Sequence, residues 1–516
     1  MKRIAAILVV ALAGSARESC AAGVSLVDAL MSALTSNTAI KLQGYRVDIS
    51  RGRYQQERGR FDDTLSFTAR QDRVNSPLTS PEVFAASGIN NNAANLSTLG
   101  LNLTHQLRDG IWFGPVLDIG RTSDNLLNLQ GVNRSQAGFQ MIVPLIRNHG
   151  RSVVAAGETT AGMEVDAGLF DTRQVVNAVL GGTASNYWAF VAAEKLLRVA
   201  HESEERGQLF AENVQRLIDA DKSPRSDINN VAANLADRRA TRIAAEQNFT
   251  KAQQALAVSM GLGSGELLAV SAPMDEFPAL ETRLPFADSD TIQRYLEQAL
   301  KTRGDVDAAR NRVEQARVLV VAAKNQTRPQ LDLNLQSGYS GLREGHRLDS
   351  LLVSPLVGVR GLDVSAGFTY SRSRQNNSAL GQLGQAETAV REAELELQDL
   401  NRNVASAILV AVSGLRNAIL QIRSSNESVE AFQRALEGER EKLRLGIGSL
   451  VEMLTVEDRL TNAMAGAVQA QLQYPLALTA FRVATGTLVD RDHLAAQQID
   501  RRAFTQLPLD FRFEDR

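Results

Sequence analysis

The strongest constraint in this sequence is a proline-free helical stretch of unusual length that ends at a glycine-containing break. Apolar residues recur at helical spacing from about residue 378 to residue 445, and no proline lies between Pro355 and Pro475. At a rise of 1.5 Å per residue, these roughly 68 residues predict a helix about 100 Å long. The break, LRLGIGSLVEML at Leu443–Leu454, precedes a second long helical run. Glycines between periodic runs indicate a reversal, so we expect an antiparallel helical hairpin.

A helix of this length has to bury its apolar stripe against other long helices. Helical spacing also runs from Ser152 to Lys222 and, after the short break DADKSPRSD, continues to about Met260. The sequence therefore predicts two long hairpins. The apolar seam expected on the first arm of the second hairpin consists of Val429, Phe432, Leu436 and Leu443.

Short segments with a period of two lie between the helical runs and are predicted to be β-strands. They are Leu65–Ala69, Leu99–Leu103, Ile111–Thr122, Ala137–Leu145, Leu331–Leu335 and Leu362–Tyr370. Polar loops are expected at Asn75–Asn95 and Gly341–Gly361, and a tight turn at Arg108–Gly110. The chain supplies four clear strands, or six if both strands around that turn take part in the sheet.

The two halves of the chain repeat the same order of elements: helix, strand, loop, strand, long helix, break, long helix. Equivalent positions are Gly261 and Gly486, Asp227 and Glu452, Ala33 and Ala299, and Leu65 and Leu331. We therefore expect one duplicated unit. The predicted division is a signal peptide at 1–22, a first repeat at 23–285, a second repeat at 286–490 and a polar tail at 491–516.

The first residues have the layout of a secretory signal peptide, with Lys2 and Arg3 before the apolar run Ile4–Ala13. Cleavage after Ala13, Ala16 or Ala22 remains open at this stage, as does a lipid anchor at Cys20. The chain of 516 residues has a formal net charge of -2, which gives no global reason to expect nucleic acid as a partner. Beyond the leader there is no uninterrupted apolar run of a length that would predict a transmembrane helix.

An exported chain with alternating strands can be periplasmic, secreted or part of an outer-membrane barrel. A strand that is apolar on one face and polar on the other crosses a membrane only within a closed barrel, because lipid cannot satisfy open sheet edges. Small closed barrels need about eight strands, more than one copy supplies, so several chains should share one barrel in a ring. The long helices are too polar for the bilayer and should project from it.

The sequence resembles the TolC-type outer-membrane efflux proteins over nearly its whole mature length. The segments that carry the resemblance are SLVDALMSALTSN at Ser25–Asn37, RGRFDDTL at Arg58–Leu65, VPLIRNHGRS at Val143–Ser152, NYWAFVAAEKLL at Asn186–Leu197 and KLRLGIGSLVEMLTVEDRL at Lys442–Leu460. The resemblance implies an α+β membrane protein that forms a trimer. Each chain would give four strands to a twelve-stranded barrel and long hairpins to a periplasmic α-helical tunnel. The hairpin at Arg108–Gly110 is a departure from that plan. We expect its strands either to lengthen the barrel edge or to fold at the periplasmic rim.

The resemblance also implies that the two helical breaks are the periplasmic tips of the tunnel. Candidate gate residues there are Asp219, Asp221, Asp227, Glu452 and Arg444. Candidate residues of an adaptor-docking turn are Ser223, Pro224, Gly446, Gly448, Ser449 and Leu450. In a trimer the acidic residues, with Glu457 and Asp458 nearby, would form rings that favour cations or pair with arginine, such as Arg225, Arg444 or Arg459. At the tip turn the glycines are expected to supply positive φ and to let a partner's backbone approach closely. The alternative is that the acidic residues are solvated helix faces and that the turn binds no partner.

No motif in the sequence predicts catalysis, a cofactor or a metal site. Gly446 and Gly448 lack the preceding strand and the further glycine of a phosphate loop. Tyr187, Trp188 and Phe190 are expected to pack in a helical core, whereas Trp112 and Tyr370 are candidates for a membrane aromatic girdle.

The predicted function is that of a passive outer-membrane exit duct with a periplasmic extension in a Gram-negative bacterium. It would serve a tripartite efflux or type I secretion system, with an adaptor protein and an inner-membrane pump as partners. Adaptor contact at the tips would open it. The alternative is a periplasmic coiled-coil adaptor or scaffold without a barrel.

Overall fold

The computed structural model describes residues 23–126, 128–220, 224–267, 270–280, 289–345, 359–445, 447–488 and 499–507. The predicted signal peptide with Cys20 lies outside these residues. So do the predicted tip residues Asp221, Ser223 and Gly446 and the side chain of Asp227.

The helices and strands of the described chain follow the predicted order, except that a short helix at Ser80–Ala85 lies within the loop expected at Asn75–Asn95. The helices are α1 Leu26–Ser36, α2 Thr38–Gly59, α3 Ser80–Ala85, α4 Arg151–Val154, α5 Ala156–Asp219, α6 Asp227–Met260, α7 Ser289–Thr302, α8 Gly304–Gln326, α9 Asn377–Arg444, α10 Leu450–Thr485 and α11 Arg502–Thr505. The strands are β1 Thr64–Pro77, β2 Asn91–Gln106, β3 Trp112–Ser123, β4 Val132–Pro144, β5 Gln330–Glu344 and β6 Val359–Ser371. The predicted long helix is α9, which has 68 residues.

The chain divides into two compact units, and each unit takes segments from both halves of the sequence. The helical unit comprises the chain up to Gln43, Thr172–Gly304 and the chain from Asn401 onward. The sheet unit comprises Gly44–Asp171 and Asp305–Leu400. The compact units are therefore not the two sequence repeats.

The main core of the helical unit contains the aromatic residues that were predicted to pack between helices. Tyr187, Trp188 and Phe190 are almost completely buried and pack with Leu26 and Leu30 of α1. The C-terminal segment also contributes to this core, because Phe504 of α11 is buried in it. The region 491–516, predicted to be a polar tail, thus includes a short helix with a core side chain.

Two long helices end in the same way at positions that the predicted repeat makes equivalent. Gly261 after α6 and Gly486 after α10 both adopt left-handed backbone, with φ of 77° and 68°. A Cβ on Gly261 would lie 2.5 Å from the carbonyl carbon of Ser36, and one on Gly486 would lie 3.0 Å from Oγ1 of Thr302. Ser36 and Thr302 are the last residues of α1 and α7. Each repeat therefore docks a left-handed cap against the end of its short helix, where only glycine fits without strain.

The sheet unit contains a single antiparallel sheet in the order β1-β2-β3-β4-β5-β6. The described residues therefore provide six strands to this sheet, not the four that the resemblance implies. The prediction that β2 and β3 lengthen an edge or fold at a rim is wrong. Both strands are interior, because β2 pairs with β1 and β3, and β3 pairs with β2 and β4.

The strands extend further than the alternating pattern predicted. The loop expected at Asn75–Asn95 is shorter, because Asn75 pairs with Ala93 and Pro77 pairs with Asn91 in the β1–β2 ladder. The side chain of Asn91 also donates a 2.6 Å hydrogen bond to Oδ1 of Asn75. Backbone pairing therefore continues through residues whose composition is typical of a loop.

The pairing register places most of the apolar strand residues on one face of the sheet. Leu65 and Phe67 of β1 pair with Leu103 and Leu101 of β2. The same face continues through Leu117 of β3, Phe139 of β4, Tyr339 of β5 and Leu362 of β6. The opposite face carries Ser66, Asn102, Asp118, Gln136, Ser340 and Gly361 on successive strands. We call these the apolar face and the polar face.

Two aromatic residues considered for a membrane girdle lie on opposite faces. Tyr370 pairs with Leu331 and belongs to the apolar face, where it is exposed. Trp112 pairs with Gln106 and Ile142 and belongs to the polar face. Trp112 is therefore not part of an aromatic girdle on the apolar face.

One described helix, α9, contains a stretch apolar enough to cross a membrane by length and composition, with a mean hydropathy of 1.5. Buried helices of soluble proteins pass the same test. The sequence contains no uninterrupted apolar run of this length. The stretch of α9 still has a high mean hydropathy, because a few polar residues among many apolar ones lower the average only slightly. Only 39% of that stretch is buried within the single chain.

Candidate functional site at the helical breaks

The break between α9 and α10 is closed by backbone hydrogen bonds that converge on one carbonyl. The amides of Ile447 and Gly448 both donate to the carbonyl oxygen of Lys442, each at 3.1 Å. A Cβ on Gly448 would lie 2.8 Å from the backbone nitrogen of Leu443. Gly448 does not adopt a positive φ, which corrects the sequence-based explanation. A glycine is needed here because two backbone segments approach closely.

After this turn the chain enters α10 through an extended residue. Ser449 is the N-cap, with φ of -97° and ψ of 134°, and its side chain makes no capping hydrogen bond. Leu450 begins the helix and Glu452 lies exposed in its first turn. Ile447 and its apolar neighbours Leu445 and Val451 are also exposed, with Ile447 at 77%. The turn therefore presents apolar side chains to solvent in the single chain.

The break between α5 and α6 has an equivalent place in the first repeat. Asp219 is the last residue of α5 and accepts a 2.8 Å hydrogen bond from Nε2 of Gln215. Pro224 is exposed and precedes α6, whose first residue is Asp227. Asp227 and Glu452 thus both occupy the first turn of a returning helix.

Arg444 does not bind any of the predicted tip carboxylates in the described chain. Its Nη2 and Nε lie 2.6 Å and 2.8 Å from the carboxylate oxygens of Glu441, one turn earlier on α9. This hydrogen bonding raises the pKa of Arg444 and lowers the pKa of Glu441. Because both groups are exposed, the pair adds little to stability.

A second apolar core lies next to the breaks and joins both hairpins. Its buried members are Phe210, Val214, Val231, Leu436, Met453, Leu454 and Leu460. Val429, Phe432 and Leu443 pack against it, so all four residues of the predicted seam contribute. We call this group the tip core.

A buried charge cluster adjoins the tip core, and the sequence did not predict it. Glu457 of α10 is only 2% exposed. Its Oε1 lies 3.2 Å from Nε of Arg206 on α5 and 3.2 Å from Nη1 of Arg238 on α6. Arg238 is itself only 5% exposed. Two arginines from the first hairpin therefore neutralise one buried carboxylate of the second hairpin.

Arg238 makes further hydrogen bonds that fix its orientation. Its Nη2 lies 3.0 Å from Oδ1 of Asp458, its Nε donates to Oδ1 of Asn234 at 2.7 Å, and its Nη1 donates to the carbonyl of Ser203 at 2.9 Å. The guanidinium therefore links α5, α6 and α10. We call Arg206, Arg238, Glu457 and Asp458 the tip latch.

The tip latch corrects the expectation for Glu457, which is buried, whereas Asp458 is 46% exposed. Glu457 and Asp458 had been grouped with carboxylates that could line an aperture, but both pair with arginine within their own chain. The sequence gives almost no signal for this, because the partners are more than 200 positions apart. Arginines spaced along a polar helix are usually solvated, and only the packing of the two hairpins brings them to Glu457.

Solved structures provide the comparison, since no family model and no curated relative matches this sequence. The Campylobacter jejuni CmeC outer membrane channel is similar, with a TM-score of 0.68 and 16% identity, covering 94% of this chain and 90% of that chain. The Vibrio cholerae outer membrane protein VceC has a TM-score of 0.66 and 17% identity, covering 89% and 96% respectively. The chain has the fold of the TolC-type outer-membrane channels.

The open state of the Neisseria gonorrhoeae MtrE outer membrane channel matches the same TolC-type fold, with a TM-score of 0.60 and 16% identity over 89% of this chain and 88% of that chain. The prediction of a TolC-type fold is thus confirmed. Within this TolC-type fold, the sheet departs from the plan that the resemblance implies, because the described residues form six strands instead of four.

Proposed function

We propose that the chain is the outer-membrane channel of a tripartite efflux or type I secretion system, in a Gram-negative bacterium. The TolC-type fold supports this, but the observation that carries it is the two-faced sheet. Leu65, Phe67, Val364 and Phe368 on the apolar face are each about two-thirds exposed to solvent. A soluble sheet would bury such a face, whereas a membrane barrel turns it toward lipid.

The proposed assembly is a homotrimer in which the sheets share a barrel and the long hairpins form a periplasmic tunnel. The exposed apolar residues of α9 support packing of this helix against another copy of the chain. Leu409, Val410 and Leu420 are exposed in the single chain, Val410 by 67%. In the trimer these side chains would pack against the next copy rather than enter a membrane.

The tip latch and the tip core are the proposed closed-state contacts of a gate. Arg206 and Arg238 attach the α5–α6 hairpin to α10, and separation of the two hairpins would leave Glu457 buried without its partners. A carboxylate in that position has either to keep its arginines or to reach water. The gate would therefore switch between two discrete packings.

Adaptor binding at the breaks is the proposed trigger for opening. The docking turn would comprise Gly448, Ser449 and Leu450, with Gly446, Ser223 and Pro224 as the other predicted contacts. The exposed apolar residues Leu445, Ile447 and Val451 provide surface for such a partner. Asp219, Asp221, Asp227 and Glu452 would line the aperture as carboxylate rings. An adaptor that binds the open packing better shifts the population toward it.

Single-channel recording in planar bilayers tests the channel and its gate together. The purified natural protein is expected to insert and conduct weakly. Asp227→Ala combined with Glu452→Ala should raise the conductance, because carboxylates that hold the closed aperture are removed. The matched control combines Asp237→Ala with Glu430→Ala, two exposed acids on the same hairpins away from the breaks. Equal conductance in the two double variants would contradict the gating role, and failure of every variant to insert would contradict the channel.

A further inference from the structure

We infer that the β2–β3 hairpin is part of the membrane wall, and that three copies of the chain close an eighteen-stranded barrel by pairing β6 of one copy with β1 of the next. This inference rests on the proposed function, and it changes the size of the proposed channel. A TolC-type trimer with four strands per chain has twelve strands. Three copies of this six-stranded sheet have eighteen.

The two extra strands have the length that a membrane crossing requires. A transmembrane strand needs about 9–11 residues. Strand β2 has 16 residues and β3 has 12. Pairing between β2 and β1 is continuous from Thr104 to Asn91, along the full length of β1. The hairpin therefore extends as far along the sheet as the strands on either side of it.

The two extra strands also continue both faces of the sheet. On the apolar face, Leu101 of β2 and Leu117 of β3 pair with each other and fill the space between Phe67 of β1 and Ala137 of β4. On the polar face, Asn102 pairs with Ser66, and its Oδ1 accepts a 3.3 Å hydrogen bond from Nε2 of Gln140 on β4. A hairpin that folded outside the barrel wall would not need apolar side chains on one face and polar side chains on the other.

The turn of the hairpin is fixed to the rest of the sheet unit. Arg108 lies 2.6 Å and 2.9 Å from the two carboxylate oxygens of Glu158 on α5. The amide of Gly150 donates a 3.0 Å hydrogen bond to the carbonyl of Asp109. Gly110 has φ of 96°, and a Cβ there would lie 2.2 Å from the carbonyl oxygen of Asn148. The turn is therefore held by specific contacts within the sheet unit. A hairpin that folded away from the sheet would not require these contacts.

The two edges of the sheet fit a second copy of the same chain. Strands β1 and β6 have 14 and 13 residues and are the outer strands in the pairing order of the described residues. With six strands alternating in direction, β1 and β6 run antiparallel to each other. The edge of one copy can therefore join the edge of the next in the same antiparallel pattern. Adding two strands to a four-stranded sheet keeps its two edge strands antiparallel to each other. Adding one strand would make them parallel.

The apolar face reaches both edges, as a continuous membrane belt requires. Leu65 and Phe67 lie on β1, and Val364, Phe368 and Tyr370 lie on β6, all exposed in the single chain. Barrel diameter grows roughly in proportion to strand number, and barrels of about 16–18 strands enclose an aqueous channel. The outer opening would then be wider than that of a twelve-stranded barrel. The constriction that limits the size of the cargo would therefore lie at the helical breaks.

Thiol labelling of the membrane-embedded trimer tests whether the hairpin lies in the wall. Single cysteines are placed at Leu101 and Asn102 of β2 in a Cys20→Ser chain. The reference pair is Leu335 and Asn334 of β5, which lie on the same two faces. A charged, water-soluble maleimide should modify Asn102→Cys and Asn334→Cys at least about tenfold faster than their apolar-face neighbours, which lipid would cover.

Disulfide formation between copies tests the edge pairing. Thr68→Cys on β1 is combined in turn with Asp363→Cys, Ser365→Cys or Thr369→Cys on β6, all on the polar face. A thiol oxidant is expected to link chains covalently in at least one combination. Thr68→Cys with Gln136→Cys is the control, because β4 is an interior strand and should not link.

The outcomes separate the inference from the proposed function. Matching labelling patterns in β2 and β5, together with linkage of β1 to β6 between chains, would support the eighteen-stranded barrel. Equal labelling of Leu101→Cys and Asn102→Cys, while the β5 pair remains distinct, would overturn it and leave a channel of fewer strands. Equal labelling in both strands, in a protein that fractionates as a soluble monomer, would overturn the inference and the proposed function together.

Discussion

Gly448 is the residue at which the tip turn depends most directly on having no side chain. In Gly448→Ala the new Cβ would meet the backbone of Leu443 at 2.8 Å, and backbone cannot rotate out of the way as a side chain can. We expect the local stability of the turn to fall by about 1–3 kcal/mol. Hydrogen exchange of the peptide covering residues 443–454 should accelerate accordingly.

The matched control for Gly448 is Gly438, which lies in α9 with nothing near the position of a Cβ. Gly438→Ala should stabilise the helix by about 0.5–1 kcal/mol, since glycine in a helix interior costs conformational entropy. If both alanine variants exchange at the rate of the natural chain, the close approach at Gly448 is not what shapes the turn.

Arg238 is the residue whose loss should affect the proposed gate most. Arg238→Ala leaves Glu457 buried with Arg206 as its remaining arginine, and breaking a buried pair costs about 3–5 kcal/mol. Because the lost contacts attach the first hairpin to α10, we expect the closed state to weaken and the resting conductance in planar bilayers to rise.

Arg242 is the control for Arg238 on the same helix. It pairs with Glu204 of α5 and Glu246 of α6, and these contacts stay within the first hairpin. Arg242→Ala should therefore leave the resting conductance close to that of the natural chain. A rise of the same size in both variants would contradict a specific role for the tip latch.

Glu158 should make the β2–β3 turn sensitive to acid. Its hydrogen bonds to Arg108 hold the pKa of this carboxyl below the ordinary value of 4.5. A carboxylate with a lowered pKa in the folded state contributes stability that is fully present above the ordinary pKa. That contribution is lost as the pH falls through the lower folded value.

The expected result is a difference between the natural chain and Glu158→Gln that is present at pH 6 and shrinks below about pH 4. Hydrogen exchange of the peptide around Arg108, measured across this range, checks it. A difference that is the same at every pH would mean that the charge of Glu158 does not hold the turn.

At the scale of elements, the exposed apolar side chains of α9 distinguish packing within the chain from packing between chains. Val410→Asp should leave the helical content of the chain unchanged but abolish an SDS-resistant oligomer, because it places a charge in the proposed interface. Val410→Thr, which keeps a side chain of similar size at the same position without adding a charge, is the control. An oligomer that survives Val410→Asp would contradict the proposed burial of this face.

Periodicity predicted the elements well wherever one face of an element is buried in its own chain. The bounds of α9, the seam at Leu436 and the caps at Gly261 and Gly486 all followed from local spacing and glycine placement. Strand ends such as Asn75 and Asn91 did not, because their pairing depends on a neighbouring strand rather than on their own composition. The sequence also did not predict the tip latch, because its residues come together only when α5, α6 and α10 pack against each other.

At the scale of the whole molecule, one exposed apolar face joins strands from both halves of the sequence. Strands β4 and β5 are paired along their lengths, so the first repeat contributes four strands and the second contributes two to one sheet. The two predicted repeats therefore contribute unequally to the sheet, and the difference is the β2–β3 hairpin. A sheet with this exposed face is stable only if something apolar covers it, and the central claim is that lipid does.

The most direct test of that claim is fractionation of cells that express the full chain, followed by gel electrophoresis of unboiled and boiled membrane samples. We expect an outer-membrane protein that runs as an SDS-resistant oligomer without boiling and as a single chain of 56.0 kDa or slightly less after boiling. A soluble periplasmic monomer would contradict the barrel and favour a coiled-coil adaptor or scaffold instead.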